Sequence, residues 1–264
     1  MHPLVNIAVT AARAAGNFIL RHSERVESLN VQTKGASDFV SEVDRGAEAE
    51  IIRTIRRYYP DHAILAEEGG GSEVHPDDAE YTWIIDPLDG TTNFLHRVPQ
   101  YCVSIGIVRR GVVEHGVIYA PEPGDLYTAS KGSGAQLNNR RLRCSRTKTL
   151  DEALIGTGMP IRNPERREIY MPMLGNVLDS TAGIRRPGSA ALDLAYVAAG
   201  RFDGFWELGL KPWDIAAGIL MVQEAGGVVS ELYGRDDVLA TGNVVAANVK
   251  LHGPLLSLLR SDAA

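Results

Sequence analysis

The stretch Trp83-Ile84-Ile85-Asp86-Pro87-Leu88-Asp89-Gly90-Thr91-Thr92-Asn93 decides how the rest of the chain is read. Its apolar opening predicts a buried strand that delivers Asp86 at its end. Pro87 has no N–H to give to a ladder, so it breaks the strand and turns the chain. Asp89 returns a second carboxylate to the same place, and the turn can aim the carbonyl of Leu88 inward. Two carboxylates and a carbonyl are hard oxygen donors, which suit Mg²⁺ and not zinc. Gly90 removes a side chain where a ligand must come close. Thr91-Thr92-Asn93 can then open a helix whose free N–H groups face an anion. A bare DxxD reads first as a capped strand–turn–helix with solvated aspartates; the full eleven-residue string favours the ligand reading.

Working outward, residues 4–20 predict an Ala-rich helix with Leu4, Ile7, Ala8, Ala11, Ala15, Phe18 and Ile19 at helical spacing. Residues 34–39 read as a Gly/Ser/Asp loop. Ser41 followed by Asp44 resembles a capping box for a second helix, which carries Ala47, Ile51, Ile52, Ile55 and Tyr59 and stops at Pro60. Residues 63–66 form a short strand ending in Glu67-Glu68, and a glycine-rich loop runs from Gly69 through Asp78. Downstream, residues 82–85, 101–108 and 112–119 predict strands, with Arg109-Arg110-Gly111 as a hairpin turn. Residues 126–129, 136–137 and 142–144 continue an antiparallel meander. After about Thr147 the texture alternates: helix 189–199, strand 205–207, helix 212–225, strands 228–230 and 244–247, and helix 251–259. The order predicts an α+β first half and an α/β second half.

The chain has 264 residues, 44% hydrophobic and 23% charged, enough for one large domain or two small ones sharing a core. A net charge of −6 argues against nucleic-acid binding through a broad basic surface. Arg109-Arg110, Arg140-Arg141 and Arg185-Arg186 are short enough to be solvated faces. Cys102 and Cys144 lack a CxxC partner and read as reduced thiols of a cytoplasmic protein. The opening His2-Pro3-Leu4 has no basic n-region, and no apolar run approaches the roughly 20 residues that span a bilayer, so no membrane partner is expected. No GxxxxGK[ST] string occurs, so the glycines near Gly69 and Gly132 are loop glycines.

Other acids have ordinary alternatives. Glu67-Glu68 can be a solubilising edge. Asp214, in Lys211-Pro212-Trp213-Asp214-Ile215-Ala216-Ala217-Gly218, can simply favour a helix dipole. Asp44 has a similar capping alternative. A glycosidase pair of Glu67 and Asp89 is weaker, because four clustered acids suit a metal better than a carboxyl pair does.

Taken together, Glu67-Glu68, Asp86 through Asn93, and Pro212 through Gly218 resemble the inositol monophosphatase family in order and separation. Gly188-Ser189-Ala190-Ala191-Leu192-Asp193-Leu194-Ala195-Tyr196 and His2-Pro3 resemble its bacterial SuhB-type branch. The resemblance implies a layered αβαβα sandwich of the sugar-phosphatase superfamily, with subdomains 1–145 and 146–264. It implies an Mg²⁺-dependent, lithium-sensitive phosphomonoesterase acting on inositol monophosphate. Glu67, Asp86, the Leu88 carbonyl and Asp89 would hold one ion; Asp86, Asp89 and Asp214 would hold a second. Thr91, hydrogen-bonded to Asp44, would orient a metal-bound water, with Glu67 also in the catalytic set. Gly90 and Thr91 amides would hold phosphate oxygens, with Asp89 and Asp214 also lining the substrate site. Ala190 and Glu207 would meet polyol hydroxyls, with Arg185 as a further substrate contact and Lys34 on a loop. A homodimer is implied, as are transcription-antitermination partners. Fructose-1,6-bisphosphatase and nucleotide 3′-phosphatase chemistry share the same core and stand as alternatives. Departures are Gly69 after the glutamate pair, Pro187 before Gly188, and a Lys34-to-Asp44 loop one residue shorter than in animal members.

Overall fold

A computed structural model describes residues 2–26, 31–35, 38–70, 79–161 and 163–260. Helical periodicity puts Leu4, Val5, Ala8, Ala11, Ala12, Ala15 and Ile19 on the buried side of α1 (Pro3–Ser23). α2 (Glu42–Tyr58) buries Val43, Ala47, Ile51 and Ile55 in the same way. The two helices pack on each other and cover one face of a seven-stranded sheet. By length and composition α1 passes for a membrane-crossing helix. That corrects the expectation that no apolar run is long enough, because alanines keep it apolar with only Arg13 and Arg21 as interior charges. Its apolar stripe lies in the core against α2 and the sheet.

The large sheet holds β3 (Ala63–Ala66), β4 (Tyr81–Asp89), β5 (Cys102–Arg109), β6 (Val112–Ala120), β7 (Asp125–Ser130), β8 (Gly134–Leu137) and β9 (Arg140–Arg141) in chain order. β3 pairs parallel to β4; every later pairing is antiparallel. The β5–β6 turn places Arg110 at φ 48° and Gly111 at φ 81°, the left-handed pair that a tight hairpin needs. The last strand is Arg140–Arg141, not residues 142–144, which follow it outside the ladder.

A second sheet orders its strands β11 (Gly183–Arg185), β10 (Leu154–Thr157), β12 (Gly204–Glu207), β14 (Val244–Asn248) and β13 (Gly227–Ser230). Between the sheets lie α5 (Ala190–Ala198) and α6 (Pro212–Glu224), buried nearly all round and packed on both. α4 (Pro164–Ser180) and α8 (His252–Arg260) cover the outer face of the second sheet, and α7 (Val238–Thr241) is a short turn of helix. The result is the αβαβα sandwich. The sheets divide between Arg141 and Leu154, yet the central core joins residues from both sides of residue 145.

Residues 34–35 and 38–39 depart from the loop expected over 34–39. β1 (Val31–Gly35) and β2 (Asp38–Ser41) pair antiparallel as a small separate sheet. Lys34 lies in β1, but its side chain falls outside the described residues, as does the side chain of Ser41. The glycine-rich loop beyond Gly70 also falls outside them.

Candidate active site

β4 is buried along almost its whole length, and Asp86, at 2% exposure, emerges only where its pairing with β5 slips. Asp86 faces Ser104 and Asp89 faces Cys102, so Pro87 and Leu88 form a bulge and not the end of the strand. Asp86 Oδ1 accepts the Leu88 N–H at 2.9 Å, which folds the bulge. Gly90 follows at φ 101° and caps α3 (Thr91–Leu95). A Cβ there would lie 2.9 Å from the Gln100 carbonyl, so glycine is required for both conformation and space.

The second half of the chain closes over this turn. Asp89 Oδ2 accepts the Ser189 hydroxyl and the Ala191 N–H, each at 2.7 Å, at the start of α5. Asn93 Nδ2 donates to the carbonyls of Gln100 at 2.7 Å and Pro187 at 2.9 Å. Ser104 of β5 donates to the Trp213 carbonyl at 3.2 Å, docking the first turn of α6. Asp214 in that turn accepts the Lys211 N–H at 2.7 Å, so it does cap its own helix. Its carboxyl group also feels the charges of Asp89 and Glu67. Glu67 follows β3, its N–H on the Ile85 carbonyl at 3.2 Å. Thr91 Oγ1 lies 2.8 Å from Asp44 Oδ1 and 3.2 Å from the Leu88 carbonyl. Asp44 is 1% exposed on α2.

Electrostatics bind these acids into one unit. Burial, then Glu67, Asp89 and Asp214, push Asp86 well above the carboxylate range. Burial raises Asp89 against the hydrogen bonds from Ser189, Ala191 and Ala190. Asp214 is raised by burial and by Asp89. Glu207, at the end of β12, is pushed up to about 8 by burial, Asp214 and Asp89. Its carboxylate sits against Gly158, where any Cβ would collide with it.

Asp86 is buried and Glu67, Asp89, Glu207 and Asp214 are half-buried around it, without enough positive charge to offset them. The donors are all hard oxygens, which fits a small dication. Among the described residues no three Asp, Glu, His or Cys side chains already stand in metal-ligand geometry. Asp86, Asp89 and Asp214 each give one oxygen to a protein donor, which leaves the second oxygen of each carboxylate for an ion.

The structure brings Asp44, Glu67, Asp86, Leu88, Asp89, Gly90, Thr91, Ala190, Glu207 and Asp214 to one region. Arg185 is exposed and donates to its neighbour Ile184's carbonyl at 2.9 Å. The adjacent Arg186 is the guanidinium whose charge reaches Glu207 and Asp193. Arg186, read with Arg185 as a solvated pair, Ser189, quoted only within a motif, and Glu48 were given no site role from the sequence. Ser189 had a signal, the Gly188-Ser189 turn before a helix; Glu48 had none.

The Nus factor SuhB of Pseudomonas aeruginosa is 50% identical over 262 residues, spanning 98% of this chain and 97% of its own. The crystal structure of extragenic suppressor protein suhB from Bartonella henselae superimposes with a TM-score of 0.95 at 43% identity, covering 99% of this chain and all of that one. The inositol monophosphatase from Anabaena (Nostoc) gives a TM-score of 0.86 at 39% identity, with 98% and 95% covered. The family model of the inositol monophosphatases matches residues 1–263, and with the site geometry and these relatives it follows that the chain belongs to the inositol monophosphatase family.

Proposed function

We propose that this protein is an Mg²⁺-dependent phosphomonoesterase that hydrolyses a small polyol phosphate, inositol 1-phosphate being the substrate of choice. The observation that carries this reading is the convergence of Glu67, Asp86, Asp89 and Asp214 beside the Thr91–Asp44 hydrogen bond. Glu67, Asp86, the Leu88 carbonyl, Asp89 and Asp214 would hold the ions. Bound Mg²⁺ supplies charge neutralisation to the phosphoryl group and to the attacking and leaving oxygens.

The remaining work falls to the chain's own atoms. Thr91 donates its hydroxyl proton to Asp44 at 2.8 Å, leaving its lone pairs to accept from a water and fix that water's direction. Glu67 stands with this pair in the catalytic set. The Gly90 and Thr91 amides would hold phosphate oxygens. Glu207, with Arg186 nearby, and the start of α5 at Ala190 offer the contacts for polyol hydroxyls. Lys34 is retained as a loop contact and a homodimer as the assembly, both resting on family likeness.

The test is phosphate release from inositol 1-phosphate, fructose 1,6-bisphosphate, glycerol phosphate and nucleotide 3′-phosphates, with Mg²⁺, Ca²⁺, Li⁺ or EDTA. Activity should require Mg²⁺, be inhibited by Ca²⁺ and Li⁺, and favour the inositol ester. Full turnover in EDTA would remove the metal assignment, and preference for a bisphosphate would move the substrate class. A second reading rests on the Pseudomonas relative's name, Nus factor: a partner role in transcription antitermination, which an intact catalytic cluster does not oppose.

A further inference from the structure

We propose that Glu48 is a positioning residue that sets the Glu67 carboxylate for the divalent cation; this rests on the reading of Glu67 as a ligand. Glu48 lies on α2, only 4% exposed, one helical turn after Asp44 and therefore on the same face. Asp44 meets Thr91, and Glu48 meets the turn just beyond β3. Its Oε2 accepts the Glu68 N–H and its Oε1 accepts the Gly70 N–H, both at 2.8 Å. Glu67 is thus held on both sides, by its own N–H on the Ile85 carbonyl of β4 and by this clamp on the residues after it.

A buried carboxylate is costly unless its lone pairs are met, and here each oxygen meets a different amide of one turn. Gly70 completes the fit. A Cβ at that position would stand 2.5 Å from Glu48 Oε1 and 2.9 Å from Ile52 Cδ1, with no left-handed backbone to demand glycine, so a side chain there would press on the clamp. α2 therefore serves the site through two acids at i and i+4. Asp44 holds the hydroxyl that orients water, and Glu48 holds the segment carrying a cation ligand. A half-buried glutamate on the same helix, Glu50 paired with Arg53, does neither.

Glu48→Gln separates positioning from simple packing. Glutamine keeps the shape but has one acceptor oxygen, so one of the two amides would face an NH₂ group. The proposal expects Mg²⁺ affinity, measured by calorimetry without substrate, to fall about 10–100-fold, as when a ligand's hydrogen-bonded support is removed. Half-saturating Mg²⁺ in phosphate release should rise in parallel, while turnover at saturating Mg²⁺ changes much less. Glu48→Asp, with both oxygens kept, should recover part of the affinity, and Glu50→Gln should leave it unchanged. Wild-type Mg²⁺ affinity in Glu48→Gln overturns the proposal, whatever its melting temperature. If circular dichroism shows that Glu48→Gln does not fold, Gly70→Ala displaces the carboxylate without altering its charge, and the same affinity loss decides. Wild-type protein that binds no Mg²⁺ would instead bring down the phosphatase reading; wild-type binding with an unaffected Glu48→Gln brings down this inference alone.

Discussion

On the proposed reading, Thr91 concentrates the chemistry at the scale of one residue. Its hydroxyl is joined to Asp44 across 47 positions of sequence, from the start of α3 to the buried face of α2. Thr91→Ala should lower turnover by about 10²–10⁴-fold, the usual value of a positioned proton acceptor. Mg²⁺ affinity by calorimetry should stay near wild type, because the hydroxyl is assigned to water; loss of Mg²⁺ binding would show that role to be wrong. Gly90 makes a conformational demand instead. Gly90→Ala must place a side chain at φ 101° and 2.9 Å from the Gln100 carbonyl, a strain of about 1–3 kcal/mol. Differential melting should show a lower transition, and an unchanged one would mean the turn relaxes freely. Asp86, Asp89 and Gly90 were legible because Pro and Gly punctuate the strand that carries them. Glu48 and Arg186 were not, because a glutamate in an amphipathic helix and one arginine of a pair look alike whether buried or solvated.

At the scale of elements, strong periodicity was readable and weak periodicity was not. α1, α2, α6 and the β5–β6 hairpin announce themselves by apolar spacing or turn residues. α4 carries Ile169, Met171 and Leu178 exposed and a proline in its interior, so no single apolar stripe marks it. The β1–β2 pair looks like a loop because polar, glycine-containing strands gain their order from pairing, which local sequence does not show. The junction between α2, β3 and β4 gives a pH prediction. His62 stacks on Tyr59 and Tyr81, and its Nδ1 accepts the Trp83 indole N–H at 3.0 Å. Accepting requires the neutral ring, and burial lowers its pKa, partly offset by Asp61 and Glu80. A histidine lowered in the folded state contributes stability above its unfolded value of about 6.5 that is lost as pH falls through the folded value. His62→Gln can accept the indole N–H without titrating, so it should lose less stability than wild type on acidification. The crowded site carboxylates act in the opposite sense, so the quantity to measure is the difference between mutant and wild type. Parallel curves from pH 8 to 5 would assign the acid loss to other groups, such as His115 and His252, which are also lowered by burial.

Across the whole molecule, the site is a seam. Glu67, Asp86 and Asp89 come from the first sheet, while Glu207 and Asp214 come from β12 and α6 of the second half. Ser189 donating to the Asp89 carboxylate and Asn93 donating to the Pro187 carbonyl bridge the halves, but the acids repel one another across the same boundary. A dication there would join the halves electrostatically, and metal-free protein should be the less stable form. Mg²⁺ at a hundred times its Kd adds about 2.7 kcal/mol, which for a chain this long raises melting by roughly 5–10 °C. Asp214→Asn tests the seam directly. Asn retains an oxygen for the Lys211 N–H, so the start of α6 should persist. It removes one negative charge from the crowd, so the metal-free mutant should melt at or above the metal-free wild type. It also removes a proposed cation ligand, so the rise on adding Mg²⁺ should shrink and phosphate release should collapse. The three readings must move together. A mutant that melts far lower without metal yet hydrolyses phosphate at near wild-type rate would make Asp214 a helix cap alone, and the seam would then be held by packing of α6 between the sheets and not by charge.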